Sequence, residues 1–248
     1  STAMTARLLP ASILAAAALL VAAPLCLAQT GPVASVDARI VDSADQPETR
    51  AGTPPDRLLV DFTFDLSAGN LKDLMFKLPA GFLGNANAIP TCPRWMASLL
   101  SPVNCPSNTQ VGVLTVDAFG VQQFPLHNLE PGPGYAAEFG FKSFVLDSRM
   151  FIRAMPNGQV RFEMSNSAQT GLPGMDVELW GVPADHQTAP TASPRRAFLT
   201  TGTRCDGAPQ ILQTDARSWQ APDVAQLFET EAAPPLVGCD ALTFQPQL

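Results

Sequence analysis

The chain has 248 residues, with 22 acidic and 15 basic side chains and a net charge of −7. A surface of that sign repels nucleic acid and anionic membrane. Two histidines leave few ligands for a transition-metal centre, and 24 prolines with 17 glycines would interrupt long helices.

Met4 reads as the start of translation, with Ser1–Ala3 as additional residues ahead of it. From Leu8 to Leu25 the chain is apolar behind a single cation, Arg7, and Cys26-Leu27-Ala28 supplies a small-x-small cleavage signal. This predicts a signal peptide over residues 1–28 and a mature protein from Gln29, secreted or in the cell envelope. Pro10 and Pro24 leave the run short of the roughly 20 clean apolar residues a spanning helix needs, so no transmembrane segment is expected in the mature chain. Lipidation at Cys26 is the alternative, but Ala-Pro-Leu ahead of it lacks the small residue expected just before a lipidated cysteine. Cleavage removes Arg7 and no acid, taking the net charge from −7 to −8.

In the segment 58–66, LLVDFTFDL places Leu58, Val60, Phe62, Phe64 and Leu66 on one face and Asp61, Thr63 and Asp65 on the other. That alternation predicts a half-buried strand. It returns at Leu74, Phe76 and Leu78, and again in VGVLTV. Between them lies TCPRWMASLLSPVNCP, in which Cys92 and Cys105 are each followed by proline and therefore biased to extended backbone. Neither the C-x2-C spacing of zinc sites nor a C-x-x-C redox pair occurs, which leaves a disulfide as the reading for an exported chain. One short helical turn fits between them, with Trp95 facing Leu99 and Met96 facing Leu100 at i,i+4. Trp95 is expected to be buried as a plug over one end of the fold.

Beyond the Pro/Gly-dense HNLEPGPGYAA, alternation resumes in AEFGF (Ala137, Phe139, Phe141), QVRFEMS (Val160, Phe162, Met164) and MDVELW (Met175, Val177, Leu179). Asn157-Gly158 invites a two-residue hairpin turn. A five-residue loop over 155–159 instead sets Ile152 against Phe162 and Met150 against Met164, which keeps the apolar side chains on one face, and face pattern decides register. The tail after PADHQTAPTASPRRA holds shorter strand-like pieces, RAFLTT, QILQTD and AQLFET. The whole predicts an all-β protein, an antiparallel β-sandwich, as one large unit or two small ones. The seam falls in 127–137, giving a first β-sandwich region over 29–128 and a second β-rich region over 129–248. Without Cys26 four cysteines remain, and three pairings are possible. Cys92 with Cys105 and Cys205 with Cys239 keep each bridge within one region.

The blocks KDLMFKLPAGFLGN, CPSNTQVGV, NLEPGPGYAAEFGF, ELWGVPADH, FLTTGTRCDGAP, SWQAP and GCDALTF together resemble a family of large exported bacterial proteins of unknown function. Its members are built from repeated, β-rich, disulfide-containing units and continue with further units after the CDALTF block. The resemblance spans about Ala51 to Pro246, and it implies an exported β-rich unit without carrying over any catalytic residue.

No G-x-S-x-G elbow, H-E-x-x-H or phosphate loop occurs in the sequence. His127 and His186 both fall in Pro/Gly-rich stretches and read as solvated loop residues, and Asp185 beside His186 points to the opposite side of an extended chain. The strongest chemical candidate is Asp176, Glu178 and Trp180 on one strand face. Carboxylates two residues apart lie roughly 6.6 to 6.8 Å apart along a strand, within the range of a glycosidase pair, and an indole can stack on a sugar. Alternating acids are also what a wet sheet face ordinarily presents. The expectation is therefore a non-catalytic structural or binding module of the envelope or extracellular space, needing no metal or cofactor, with a glycan or cell-surface partner. The alternative is glycan binding or cleavage through Trp180, Asp176 and Glu178, or through Trp219.

Overall fold

The computed structural model describes residues 31–98, 100–117, 120–142, 147–157, 159–169, 171–188 and 192–242. The expected signal peptide, its cleavage site and Cys26 lie outside them, as does Leu99, the proposed partner of Trp95.

The described residues form an all-β protein. In chain order the strands are β1 (Val33–Val41), β2 (Arg57–Phe64), β3 (Leu71–Lys77), β4 (Leu83–Gly84), β5 (Gln110–Asp117), β6 (Val121–Leu129), β7 (Ala137–Lys142), β8 (Asp147–Ala154), β9 (Val160–Met164), β10 (Gly174–Trp180), β11 (Leu199–Thr200), β12 (Gln210–Ser218) and β13 (Gln226–Ala233). Alternation in the sequence becomes alternation in burial: in β2, Leu58, Val60, Phe62 and Phe64 are buried while Thr63 is exposed. Leu66 leaves the pattern. Asp65 caps a short 3-10 turn there by accepting from the Ser67 N–H, and Leu66 is exposed.

Hydrogen bonding joins 11 strands into one antiparallel sheet in the order β1-β2-β10-β5-β6-β7-β8-β9-β3-β12-β13, with β4 and β11 as a separate pair. The sequence pattern suggested sheets stacked face to face; the strand order describes one sheet curled until its two edges meet. Phe62 on β2 lies 6.1 Å from Phe76 on β3, although seven places separate their strands in the sheet order, and Phe76 stacks on Phe162 of β9 at 4.6 Å. Among the described residues one large apolar core fills the interior, with residues from strands all around the sheet, and a small separate cluster lies at Cys92, Ala97 and Leu129.

An odd number of antiparallel strands cannot close on an antiparallel pair, because its first and last strands run the same way. The closing strands here are β1 and β13, and side chains bridge them. Gln226 accepts from the Val33 N–H (3.0 Å) and donates to the Val33 carbonyl (2.7 Å), and Thr230 donates to the Val36 carbonyl (3.4 Å).

The expected boundary between residues 128 and 129 does not separate two bodies. β10, from the second half, lies between β2 and β5, and β3, from the first half, lies between β9 and β12. The Pro/Gly segment is a connection between neighbouring strands β6 and β7. The hairpin of β8 and β9 takes the longer loop: Ile152 faces Phe162 and Ala154 faces Val160, with the Met155 N–H donating to the Gln159 carbonyl at 2.8 Å.

Both bridges join the expected cysteines, Cys92 to Cys105 and Cys205 to Cys239. Cys92 lies alongside the end of β6: its N–H donates to the Asn128 carbonyl (2.8 Å) and its carbonyl accepts from Glu130 (3.0 Å). The turn between the first pair is a 3-10 segment, Arg94–Ala97. Trp95 is not a plug; it is 57% exposed. A turn this short has one inward face, and Ala97 takes it, packing with Cys92 and Leu129, while Arg94 reaches the buried Glu138 carboxylate at 3.1 Å. Among the described residues no helix is long and apolar enough to cross a membrane.

Candidate functional site

β10 carries the residues singled out from the sequence, and its alternation extends to the last of them. Met175, Val177 and Leu179 enter the core; Asp176, Glu178 and Trp180 take the outer face. Asp176 is exposed and faces Asp61 of β2, which in turn faces Asp37 of β1. Three carboxylates thus stand in one row across three strands. Like charges directly opposite destabilise a sheet, and Arg39 intervenes, 3.5 Å from both Asp37 and Asp61. Burial first, and then the facing Asp176, push the Asp61 carboxyl above the usual carboxylate range, with Arg39 pulling against them.

Trp180 stands at the end of the strand, where the chain turns back through a 3-10 segment, Pro183–Asp185. The turn brings His186 flat over the indole, with ring centres 5.0 Å apart and planes 11° from parallel. Glu178 accepts from the indole N–H at 2.7 Å. One ring face and the polar edge of Trp180 are therefore taken, and the residue is 6% exposed. Neither histidine is a solvated loop residue. The enclosed Nε2 of His186 lies 3.2 Å from Asp56 Oδ1 without the alignment of a hydrogen bond. Asp56 also accepts from Arg57 Nε at 3.0 Å. Burial opposes the charge on Arg57, but Asp56, Asp45 and Glu178 outweigh it and hold the guanidinium charged more firmly than in water.

Gly181 makes this corner possible. A Cβ there would fall 1.7 Å from the Pro55 carbonyl oxygen, while its own N–H donates to Asp56 and its carbonyl accepts from Phe198 (2.7 Å) and Leu199 (3.1 Å). The glycine is what lets two chain segments cross directly behind the Trp180–His186 stack.

Beside the stack is a cleft of about 310 Å³, lined by Asp42, Glu48, Arg50, Asp56, Asp185, His186 and Arg195 among others. Its carboxylates are already engaged. Asp42 accepts from two backbone N–H groups, Glu48 holds Arg50, Asp56 holds Arg57, and Asp185 holds Arg195 through both oxygens at 2.8 and 3.0 Å. Among the described residues, no three His, Cys, Asp or Glu side chains are grouped to hold a metal ion. The arrangement clamps a chain reversal.

Trp219, the other candidate, sits apart from this corner. It is half-buried, donates its indole N–H to the Ser167 carbonyl at 3.1 Å, and has the Lys72 ammonium 5.5 Å from its ring centre. His127 lies on β6 and is buried, its Nδ1 3.0 Å from Thr109 Oγ1. Because that hydroxyl donates to the Pro106 carbonyl (2.7 Å), it accepts from His127, which fixes the Nδ1–H tautomer. Desolvation lowers the His127 pKa to about 4, so the ring is neutral at ordinary pH.

Sequence reasoning missed His186 and Gly181. Both lie in ELWGVPADH, and what joins His186 to Trp180 is a reversal of direction that no periodicity announces. Compared with known proteins, the chain matches no family model, no curated protein and no solved structure.

Proposed function

We propose that this is an exported, non-catalytic module of the cell envelope or extracellular space, whose conspicuous aromatic and acidic residues hold the fold rather than turn over a substrate. The observation that carries the reading is the closure of the Trp180 corner. An indole that is to stack on a sugar needs an open ring face beside available carboxylates. Here His186 covers the ring, Glu178 is occupied by the indole N–H, and Asp176 faces another carboxylate across the sheet. Two disulfides, one closing a surface loop and one tying the tail, suit an oxidising compartment. The same reading agrees with the resemblance to exported proteins built from β-rich units.

The test has two arms. Fractionation of a producing cell should find the protein outside the cytoplasm, beginning at Gln29; cytoplasmic retention with reduced cysteines would end the export reading. In a glycan and cell-wall screen with purified protein, hydrolysis should not rise above background. Reproducible turnover abolished by Asp176→Ala or Glu178→Ala would replace this reading with the glycan-cleaving one.

A further inference from the structure

The outer surface of the sheet carries a second row of like charges, opposite in sign to the row of carboxylates. Across β8, β9 and β3, Arg153 faces Arg161 and Arg161 faces Lys77. Their chain neighbours Ile152, Phe162 and Phe76 lie in the core, so strand alternation turns the three cations outward. The row repeats in the basic sense what Asp37, Asp61 and Asp176 form across β1, β2 and β10. Each row holds one charge of the other sign, which leaves two uncompensated: Glu163 pairs with Arg153 (2.9 Å) and with Arg161, and Arg39 lies between Asp37 and Asp61. Lys77 ends one row and Asp176 the other, and neither makes an ion pair among the described residues. The acids bordering the basic row are engaged, Asp215 lying 3.6 Å from Arg217 and Glu229 accepting from Gln213 at 2.8 Å.

The two rows fit one another. Strand spacing sets the interval within each, about 4.8 Å, so three charges on three neighbouring strands span roughly 10 Å in both. Like charges held directly opposite weaken a sheet, and contact between the rows relieves both. Their placement decides how they can meet. Phe62, next to Asp61, and Phe76, next to Lys77, approach to 6.1 Å across the interior, so the walls that bear the two rows stand back to back. The rows therefore face away from each other. One copy cannot answer both rows of a neighbour at once, and a contact between unlike faces leaves a free row at each end of the pair, which is the geometry of open-ended assembly.

We propose that the acidic row of one copy docks on the basic row of the next, so that the protein associates through its two outer sheet faces into open stacks. The occupant of each row is a second copy of this chain, selected by complementary charge at matching spacing. The export reading is independent of this contact.

Sedimentation equilibrium of the disulfide-intact protein, up to about 1 mM so that weak contacts are detected, tests it. The net charge of −7 repels copies at long range. At about 0.1 M salt the screening length is about 10 Å, which damps that repulsion while charges in contact still attract; at about 1 M it is about 3 Å, and the contact pairs weaken too. The mean mass should rise with concentration beyond that of a dimer at the lower salt and remain that of a monomer at the higher. Lys77→Glu and Asp176→Lys each turn a pairing into a like-charge contact and should weaken association at least about tenfold. Since neither side chain is ion-paired within its own chain, both variants should unfold no earlier than the wild type. An equimolar mixture of the two should associate again, because one supplies an intact acidic row and the other an intact basic row. A wild type that stays monomeric at the lower salt overturns the proposal, as does a dimer that does not grow with concentration, a variant that associates like the wild type, or a mixture that stays monomeric. A monomeric wild type that binds dextran sulfate through Lys77 also overturns it and assigns the basic row to a polyanion.

Discussion

His127 illustrates how a single buried ring sets a pH limit on the fold. The unfolded chain takes up a proton near the ordinary histidine value of 6.5, whereas the folded protein, by desolvation, does so only at about 4. Between these two values the unfolded state binds more protons, so stability falls as pH drops through the window and levels off below it. The ring should account for a loss of about 3 kcal/mol across that range. Chemical denaturation of the wild type and of His127→Gln at several pH values checks this, and the variant should show a flatter profile between pH 6.5 and 4. Asp61 has the opposite sign. Its carboxyl is raised in the folded state, so it destabilises the protein above its folded pKa and ceases to do so as pH falls through it. Asp61→Asn should therefore stabilise the protein by about 0.5 kcal/mol at neutral pH and by nothing in acid, as read from urea midpoints.

At the scale of elements, the strands most legible in the sequence were those with one wet and one dry face, because period-2 alternation is a local property. Leu58 to Phe64 and the register of Ile152 with Phe162 belong to that class. β1 was not legible: a register shift between Val33 and Ser35 breaks its alternation, which leaves only the short run Val36–Ile40 with Asp37 and Arg39 on the wet face. β6 was obscured by Pro125, which is tolerated because β7 pairs only with His127–Leu129 and leaves the strand unflanked on that side at the proline. The candidate site was half-readable. The face shared by Asp176, Glu178 and Trp180 followed from alternation, but the cover supplied by His186 depends on a turn, on Gly181, and on a distant carbonyl at Pro55. Gly181→Ala should thus cost about 3 kcal/mol by overpacking and loosen the stack, seen as a lower thermal midpoint with a red-shifted Trp180 emission. Trp95 was misplaced because large apolar residues usually go inside, and only tertiary structure reveals that Ala97 had the inward position. Replacing Cys92 and Cys105 with serine should remove about 3 kcal/mol of loop-closure stabilisation, measurable by denaturant titration against the wild type.

At the scale of the molecule, closure was invisible in the sequence, since it joins residues 193 positions apart. The seam between β1 and β13 depends on side chains, above all on the two hydrogen bonds from Gln226 to the backbone of Val33. Gln226→Ala leaves both Val33 groups without those partners and should cost about 2 kcal/mol. Amide exchange should quicken at Val33 while remaining slow in the central strands. An unchanged Val33 protection factor would mean that the seam is held by something other than Gln226.

The parity of the strands also sets the polarity of the molecule as a link. Since β1 and β13 run side by side in the same sense, Val33 and Gln226 share one rim and the C-terminal end of β13 lies at the other. From there the chain crosses to pair Val237 with Arg50, and Cys239 is bolted to Cys205. Polypeptide entering at Val33 and polypeptide leaving after Cys239 therefore attach at opposite poles. A pull applied to both attachment points would run along β1 and β13 and load their pairings with β2 and β12 in shear rather than unzipping them one by one. The Cys205–Cys239 bridge lies where tension from the C-terminal side would first arrive.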